Sequence, residues 1–372
     1  MCQLEKQLMN NRKISPFGAA GLANVHPRRA GRFMIMASNY KRIERRLTIY
    51  PKLPSLYERS KIALPKKVSK MINKDVKPAM RVVTRPDFDG VVCAALLHEA
   101  EPIIEPVKWV SPDDMQKKRV QIYPGDIIAN LPYHENCHLW FDHHYSNRLD
   151  HPFEGAFKLA PSAAGLVYDY YQGRFRRDYR ELVAQTDKID SADLSLDEIL
   201  HPENNPYIYL AMTVSDRDYT DVPYWNHLVA LLRNQPIEQV LANPRVVQRC
   251  QRFLQKNDSY KTDLQANTRL HGHVSVTDFR TLGKIPEGNR FLVYSLFPDA
   301  VASVTIGFAD ETKEKVIVRV GHSILNQNCN VNAGKMLTKF GGGGHAGAGS
   351  CSLHVDRANE YIPQIIDELL KN

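Results

Sequence analysis

The chain has 372 residues, more than one ordinary core accommodates and suited to two domains of roughly 150 each. Hydrophobic residues at 43% and charged residues at 24% mark a globular protein, and no apolar run reaches the ~18 residues a membrane-spanning helix needs. The net charge of +8 hides a division: residues 1–80 hold 18 Lys/Arg against 4 Asp/Glu, a balance of +14, which leaves the remainder at −6. Pro16–Val25 is too weakly apolar for a signal peptide, and Pro27-Arg28-Arg29 follows it in place of a cleavage site. The six cysteines form no CxxC pair, which argues against a zinc ribbon or a disulfide scaffold and makes a reducing cytoplasm the expected compartment.

In chain order, residues 1–79 read as a poorly ordered basic extension, with short helices at Tyr40–Leu47 and Val68–Ile72 and no broad apolar face. Three readings stand: a solvated tail, a basic arm touching a polyanion, or an over-extended gene start, with Met80 immediately before the first strand. An α/β body is expected over 80–250: a buried strand from Arg81, a polar turn, the helix Gly90–Ala100, then strands at Val107–Val110, Asp126–Leu131 and Leu139–Phe141. This alternation predicts a mostly parallel sheet with helices on both faces. Helices follow at Ala163–Gln172, Tyr179–Lys188, Pro206–Val214, Tyr224–Asn234 and Arg245–Leu270, the last supplying a helical connector at 251–274. A smaller α/β domain over 275–372 is predicted from strands at His273–Thr277, Arg290–Leu296, Val301–Phe308 and Lys315–Val320 and helices at Val331–Phe340 and Asp356–Leu370.

Three clusters carry chemistry, and each follows an apolar element. Arg85-Pro86-Asp87-Phe88-Asp89-Gly90 lies at a strand-to-helix turn, where the carboxyl edge of a parallel sheet takes ligands and paired carboxylates bind a hard cation. Turns also favour Asp and Gly for their own sake. Asp142-His143-His144 ends the next apolar strand, and imidazole beside carboxylate suits Mn²⁺, Fe²⁺ or Zn²⁺. Gly341-Gly342-Gly343-Gly344-His345 follows a helix, and without Cβ atoms its backbone N–H groups can converge on an anion. It lacks the GK[ST] ending of a P-loop.

In this order and spacing the three clusters resemble the DHH phosphoesterase superfamily over residues 80–372, a DHH domain followed by a glycine-rich DHH-associated domain. Members include RecJ-type exonucleases, nanoRNases, bisphosphonucleotide phosphatases, cyclic-dinucleotide phosphodiesterases and exopolyphosphatase-like proteins, and the DFDG turn most resembles the last group. The resemblance implies Mn²⁺, with Mg²⁺ or another divalent ion as alternatives, held by Asp87, Asp89, His143 and one of Asp187 or Asp190. Asp142 would support the site, and His144 would face the phosphate as a charge stabiliser or proton donor. Gly341, Gly342, Gly343, Gly344 and His345, helped by Arg319 and Ser323, would grip the far part of the substrate.

Two positions depart from the family pattern. Val83 stands where many members carry histidine, and Asn130 matches the bridging aspartate among the metal positions, so one metal position is weakened or vacant unless Asp126, His134 or His138 substitutes. The expected function is metal-dependent hydrolysis of phosphoester bonds in short oligonucleotides or small nucleotides. The alternatives are phosphoanhydride hydrolysis of polyphosphate or non-catalytic nucleotide binding. The −6 balance argues against a long nucleic-acid groove; the partner is a small phosphorylated substrate, with no membrane, and a homodimer is compatible.

Overall fold

A computed structural model describes residues 79–216 and 218–372. The basic extension and its two short helices lie outside the described residues, all of which belong to one unit.

The first half opens with β1 (Arg81–Thr84), α1 (Phe88–Ala100), β2 (Lys108–Trp109), α2 (Pro112–Gln116), β3 (Asp126–Ala129), β4 (Leu139–Asp142) and β5 (Gly155–Phe157). These strands lie in the order β2-β1-β3-β4-β5, every pair parallel. The chain leaves β1 in one direction to reach β2 and in the other to reach β3. The crossover therefore reverses at β1 and β3, and a crevice opens at their carboxyl ends. Strand alternation assigns the faces: Val82, Ile127, Ala129, Leu139 and Phe141 enter one core, and Val83, Ile128 and Trp140 the other.

Helices α3 (Ala163–Tyr170), α4 (Arg180–Asp190), α5 (Leu196–Leu200), α6 (Pro206–Ala211), α7 (Val222–Asn234) and α8 (Ile237–Leu241) follow. Residues 88–97 of α1 are buried on every side, because α1 is packed among the sheet, α3, α4 and α7. The opposite face is covered more thinly, by Met115 of α2 and by loop residues such as Ile122 and Leu131.

The connector α9 (Pro244–Asn267) leads to β6 (Thr268–His271), β7 (Val274–Asp278), α10 (Leu292–Leu296), β8 (Ala302–Phe308), β9 (Lys315–His322), α11 (Ala333–Thr338), β10 (Gly343–Gly344), β11 (Ala348–His354) and α12 (Val355–Leu370). The second sheet has the order β10-β11-β9-β8-β7-β6, and β7–β8 is its parallel pair. Two expected elements are corrected. The Arg245–Leu270 helix stops at Asn267, because residues 268–271 pair with β7. The strand expected at Arg290–Leu296 is a helical turn, since the Asn289 side chain accepts from the Phe291 amide and its carbonyl from Leu292. Leu292, Val293 and Tyr294 are buried in succession there, so the run carries no strand alternation.

One further core joins the halves. Leu194, Ile199 and Ile208 pack with Tyr260 and Leu264 of α9 and with Phe279, Leu292 and Tyr294, while Asn289 Nδ2 donates to the Ile199 carbonyl at 3.0 Å. Among the described residues no helix is long and apolar enough to cross a membrane.

Candidate active site

The turn after β1 is drawn tight against α1: a Cβ on Gly90 would stand 2.0 Å from the Arg85 carbonyl oxygen, so only glycine fits. Asp87 caps α1. Its Oδ1 accepts from the Gly90 amide at 2.8 Å and from Asn130 Nδ2 at 3.0 Å, and its Oδ2 lies 2.6 Å from Arg85 Nε. Asn130 is buried at the end of β3 with a positive φ of 56°. Asp89 points inward, where its oxygens accept from the amides of Ala163 (3.0 Å) and Ala164 (2.8 Å) at the start of α3.

β4 delivers Asp142, His143 and His144 to the same edge. Asp142 is spent on the turn: Oδ1 accepts from the His143 amide at 2.9 Å and from His144 Nδ1 at 2.7 Å, and Oδ2 from Asn147 Nδ2 at 2.6 Å. His143 Nδ1 lies 2.9 Å from the Ala160 carbonyl, which can only accept, so Nδ1 carries a proton and the neutral ring presents the lone pair of Nε2. That Nε2 is buried with no hydrogen-bond partner, 3.3 Å from Asp190 Oδ2 and 3.9 Å from Asp89 Oδ2, on a side chain 9% exposed.

A lone pair facing two carboxylates is repulsive unless a cation lies among them. Burial, then the neighbouring carboxylates, push both Asp89 and Asp190 above the usual carboxylate range, which is the same electrostatic deficit seen from the acids. Asp89, His143 and Asp190 each offer a ligand atom within 4.8 Å of the others. One imidazole and two carboxylates fit a divalent transition ion. Of the two acids left open by spacing, Asp190 therefore joins the cluster. Asp187 sits one turn earlier on α4 and accepts from Ser162 Oγ at 2.5 Å.

The other sequence alternatives do not reach this cluster. Asp126 pairs with Arg81 at the amino end of β3, at 2.9 and 2.7 Å. His138 donates its amide to the Asp126 carbonyl at that same end, and His134 Nδ1 accepts from the Asn136 amide within its own loop.

From the second half, His345 comes to His144, their ring centroids 4.7 Å apart. Burial would lower the pKa of His144, but the hydrogen bond and charge of Asp142 outweigh it and hold the ring above the ordinary value. Burial, then the charge of His144, depress His345 to about 4, so the facing ring is neutral.

The expected convergence of glycine amides is corrected. Gly341 donates to Thr338, Gly342 to Leu337 and His345 to Ala348, while Gly343 and Gly344 pair with Ser350 and Gly349. The glycines serve close approach instead: Gly344 has φ 147°, and a Cβ there would meet the Ala348 oxygen at 2.3 Å. Arg319 is exposed on β9 opposite Ser350, which places it on the same sheet row as Gly343. Ser323 is buried, its hydroxyl accepting from the Asn326 amide. Sequence reading missed Ser162, Asn147 and the two α3 amides, whose partners are distant or generic in type, and gave no role to Arg85, visible in the Arg-Pro-Asp turn.

No protein-family model and no curated protein matches the chain. Among solved structures it is similar to the pGpG-specific phosphodiesterase PggH of Vibrio cholerae, with 31% identity, 78% of this chain and 99% of that one covered, and a TM-score of 0.64. RecJ of Thermus thermophilus is 11% identical in its complexes with Mn²⁺ and with Mg²⁺. The match covers 82% of this chain against 55% and 52% of RecJ, with TM-scores of 0.49 and 0.42.

Proposed function

The chain belongs to the DHH phosphoesterase superfamily, and from that premise we propose that it is a divalent-metal-dependent phosphodiesterase acting on linear dinucleotides and the shortest oligonucleotides. The observation that carries this reading is the buried, unpartnered His143 Nε2 set between Asp89 and Asp190, with His345 closing over the neighbouring His144 at 4.7 Å. A bound cation would supply a water of lowered pKa and positive charge against the phosphoryl oxygens.

The chain's own residues do the rest. Asp89, His143 and Asp190 would hold the cation, the first oriented by two helix amides and the second by the Ala160 carbonyl. Asp142 fixes the His144 tautomer and favours its protonated form, which leaves Nε2–H, on the far side of the ring, as the donor to the leaving oxygen. As the bond from phosphorus to the 3′ oxygen breaks, that oxygen takes the His144 proton and the products are 5′-monophosphates. His345, neutral, hydrogen-bonds the substrate from the opposite side. The acidic body and the closeness of His144 and His345 favour a short substrate, and the likeness to a pGpG-specific enzyme makes pGpG the first to try.

The test is a Mn²⁺-supplemented panel of pGpG, pApA, longer oligoribonucleotides, pAp, a cyclic dinucleotide and polyphosphate, with products resolved by chromatography. Dinucleotide turnover that is lost with a chelator and restored by Mn²⁺ is the expected result. Turnover of polyphosphate alone, or dinucleotide cleavage indifferent to chelation, overturns the reading.

A further inference from the structure

Asp87 belongs to the turn that approaches the metal, yet it is absent from the set of mutually close ligand atoms formed by Asp89, His143 and Asp190. The Gly90 amide and Asn130 Nδ2 take its Oδ1, and the Arg85 guanidinium sits against its Oδ2 at 2.6 Å. The Arg85 side chain is 27% exposed although its Nε is buried. Its charge favours those of Asp190, Asp216 and Asp89 and weakly opposes protonation of His144 and His345.

We infer that Arg85 is a built-in cation of the active site: it occupies the place beside Asp87 and Asn130 that a second divalent ion would need, and it turns its remaining N–H groups to the phosphoryl oxygens of the substrate. The enzyme is then a one-metal phosphodiesterase. Charge supports this. Asp87, Asp89 and Asp190 with one guanidinium leave two negative charges, the charge of a single divalent ion. Asn130 Oδ1 is buried with no hydrogen-bond partner, but a neutral amide oxygen offers a second ion only a dipole. A guanidinium also suits the second task, since its planar fork matches two oxygens of one phosphate.

The inference rests on the metal-dependent reading above, and the stoichiometry of metal separates the two. The full chain is loaded with Mn²⁺ and examined by elemental analysis and electron paramagnetic resonance, with no substrate present. One Mn²⁺ per chain, giving the six-line spectrum of an isolated ion, is expected. Two Mn²⁺ with a spin-coupled spectrum overturn the inference and leave the phosphodiesterase reading standing; no bound Mn²⁺ overturns both. In the double variant Arg85→Met with Asn130→Asp, Asp87 is released and a second carboxylate is added, so a second Mn²⁺ and a coupled spectrum are expected. Arg85→Lys, which keeps the charge, should stay at one ion while losing the fork. Its KM for the dinucleotide should rise about tenfold with Mn²⁺ affinity nearly unchanged. An unchanged KM in Arg85→Lys overturns the substrate-binding part.

Discussion

The two histidines of the Asp-His-His turn differ by one hydrogen bond, and that bond decides their work. His143 gives its Nδ1 proton to a backbone carbonyl, which on the proposed reading leaves Nε2 for a cation; His144 gives its own to a carboxylate and is held toward the charged form. His143→Ala should therefore lower Mn²⁺ affinity by at least about tenfold, whereas His144→Ala should leave Mn²⁺ affinity within about threefold and lower kcat. Calorimetry and steady-state kinetics on both variants check the split; parallel losses would place the two rings in one role. The acids of α4 are separable in the same way. Asp190→Asn should weaken Mn²⁺ at least about tenfold, and Asp187→Asn much less, because Ser162 rather than a cation faces Asp187.

At the scale of elements, α1 is the central strut and its ends carry different burdens. Its start holds Asp87 and Asp89, and its last turn holds His98, which burial and then Arg233 of α7 depress to about 4. A histidine whose pKa is lower folded than unfolded stabilises the fold above its unfolded pKa, and that contribution is lost as pH falls from about 6.5 toward 4. Comparing wild type with His98→Gln in denaturant melts at pH 7.5 and pH 5 should show the wild type losing about 1 kcal/mol more, after allowance for solvent screening. Equal losses would remove His98 from the acid sensitivity. In the second sheet, Gly344→Ala forces a Cβ against the Ala348 oxygen at an unfavourable φ and should displace His345. KM for the dinucleotide should rise about tenfold while Mn²⁺ affinity holds.

Across the whole molecule, one face of the site is built on the parallel sheet and the other on a loop some two hundred residues later. They meet because the core shared by α5, α9 and the turn at Asn289 sets the two halves against each other. Asn289→Ala deprives the Ile199 carbonyl of its side-chain donor and should cost about 1–3 kcal/mol of stability. Since it loosens the junction rather than the metal ligands, it should raise KM more than the Mn²⁺ dissociation constant. A change confined to metal affinity would show that the junction does not place His345.

The sequence by itself determined what chain-local chemistry can determine. Alternating or unbroken apolar runs bounded by turn residues specify β1, β3, β4 and the helices between them. A parallel α/β order sends the Asp87–Asp89 turn and the Asp142–His144 turn to one edge, because strands that share a direction share a carboxyl end. That is why the residues that gather at this edge could be read before their geometry. What only the tertiary structure decided lies where the answer depends on partners far along the chain. Asp187 and Asp190 are equivalent acids on one helix until α4 is docked and Ser162 claims one of them. The glycine run suggests an anion nest until the amides of Gly341, Gly342 and His345 bond backbone carbonyls and β10 pairs with β11. The segment 290–296 is apolar enough for a strand, but Asn289, whose own bonds to Phe291 and Leu292 open a helical turn, is set in place by Asn257 of α9 and the Ile199 carbonyl of α5. Arg85 is one more basic residue in a turn until Asp87, itself held by Asn130, pairs with it, since a charge acquires its function from the charges folded around it.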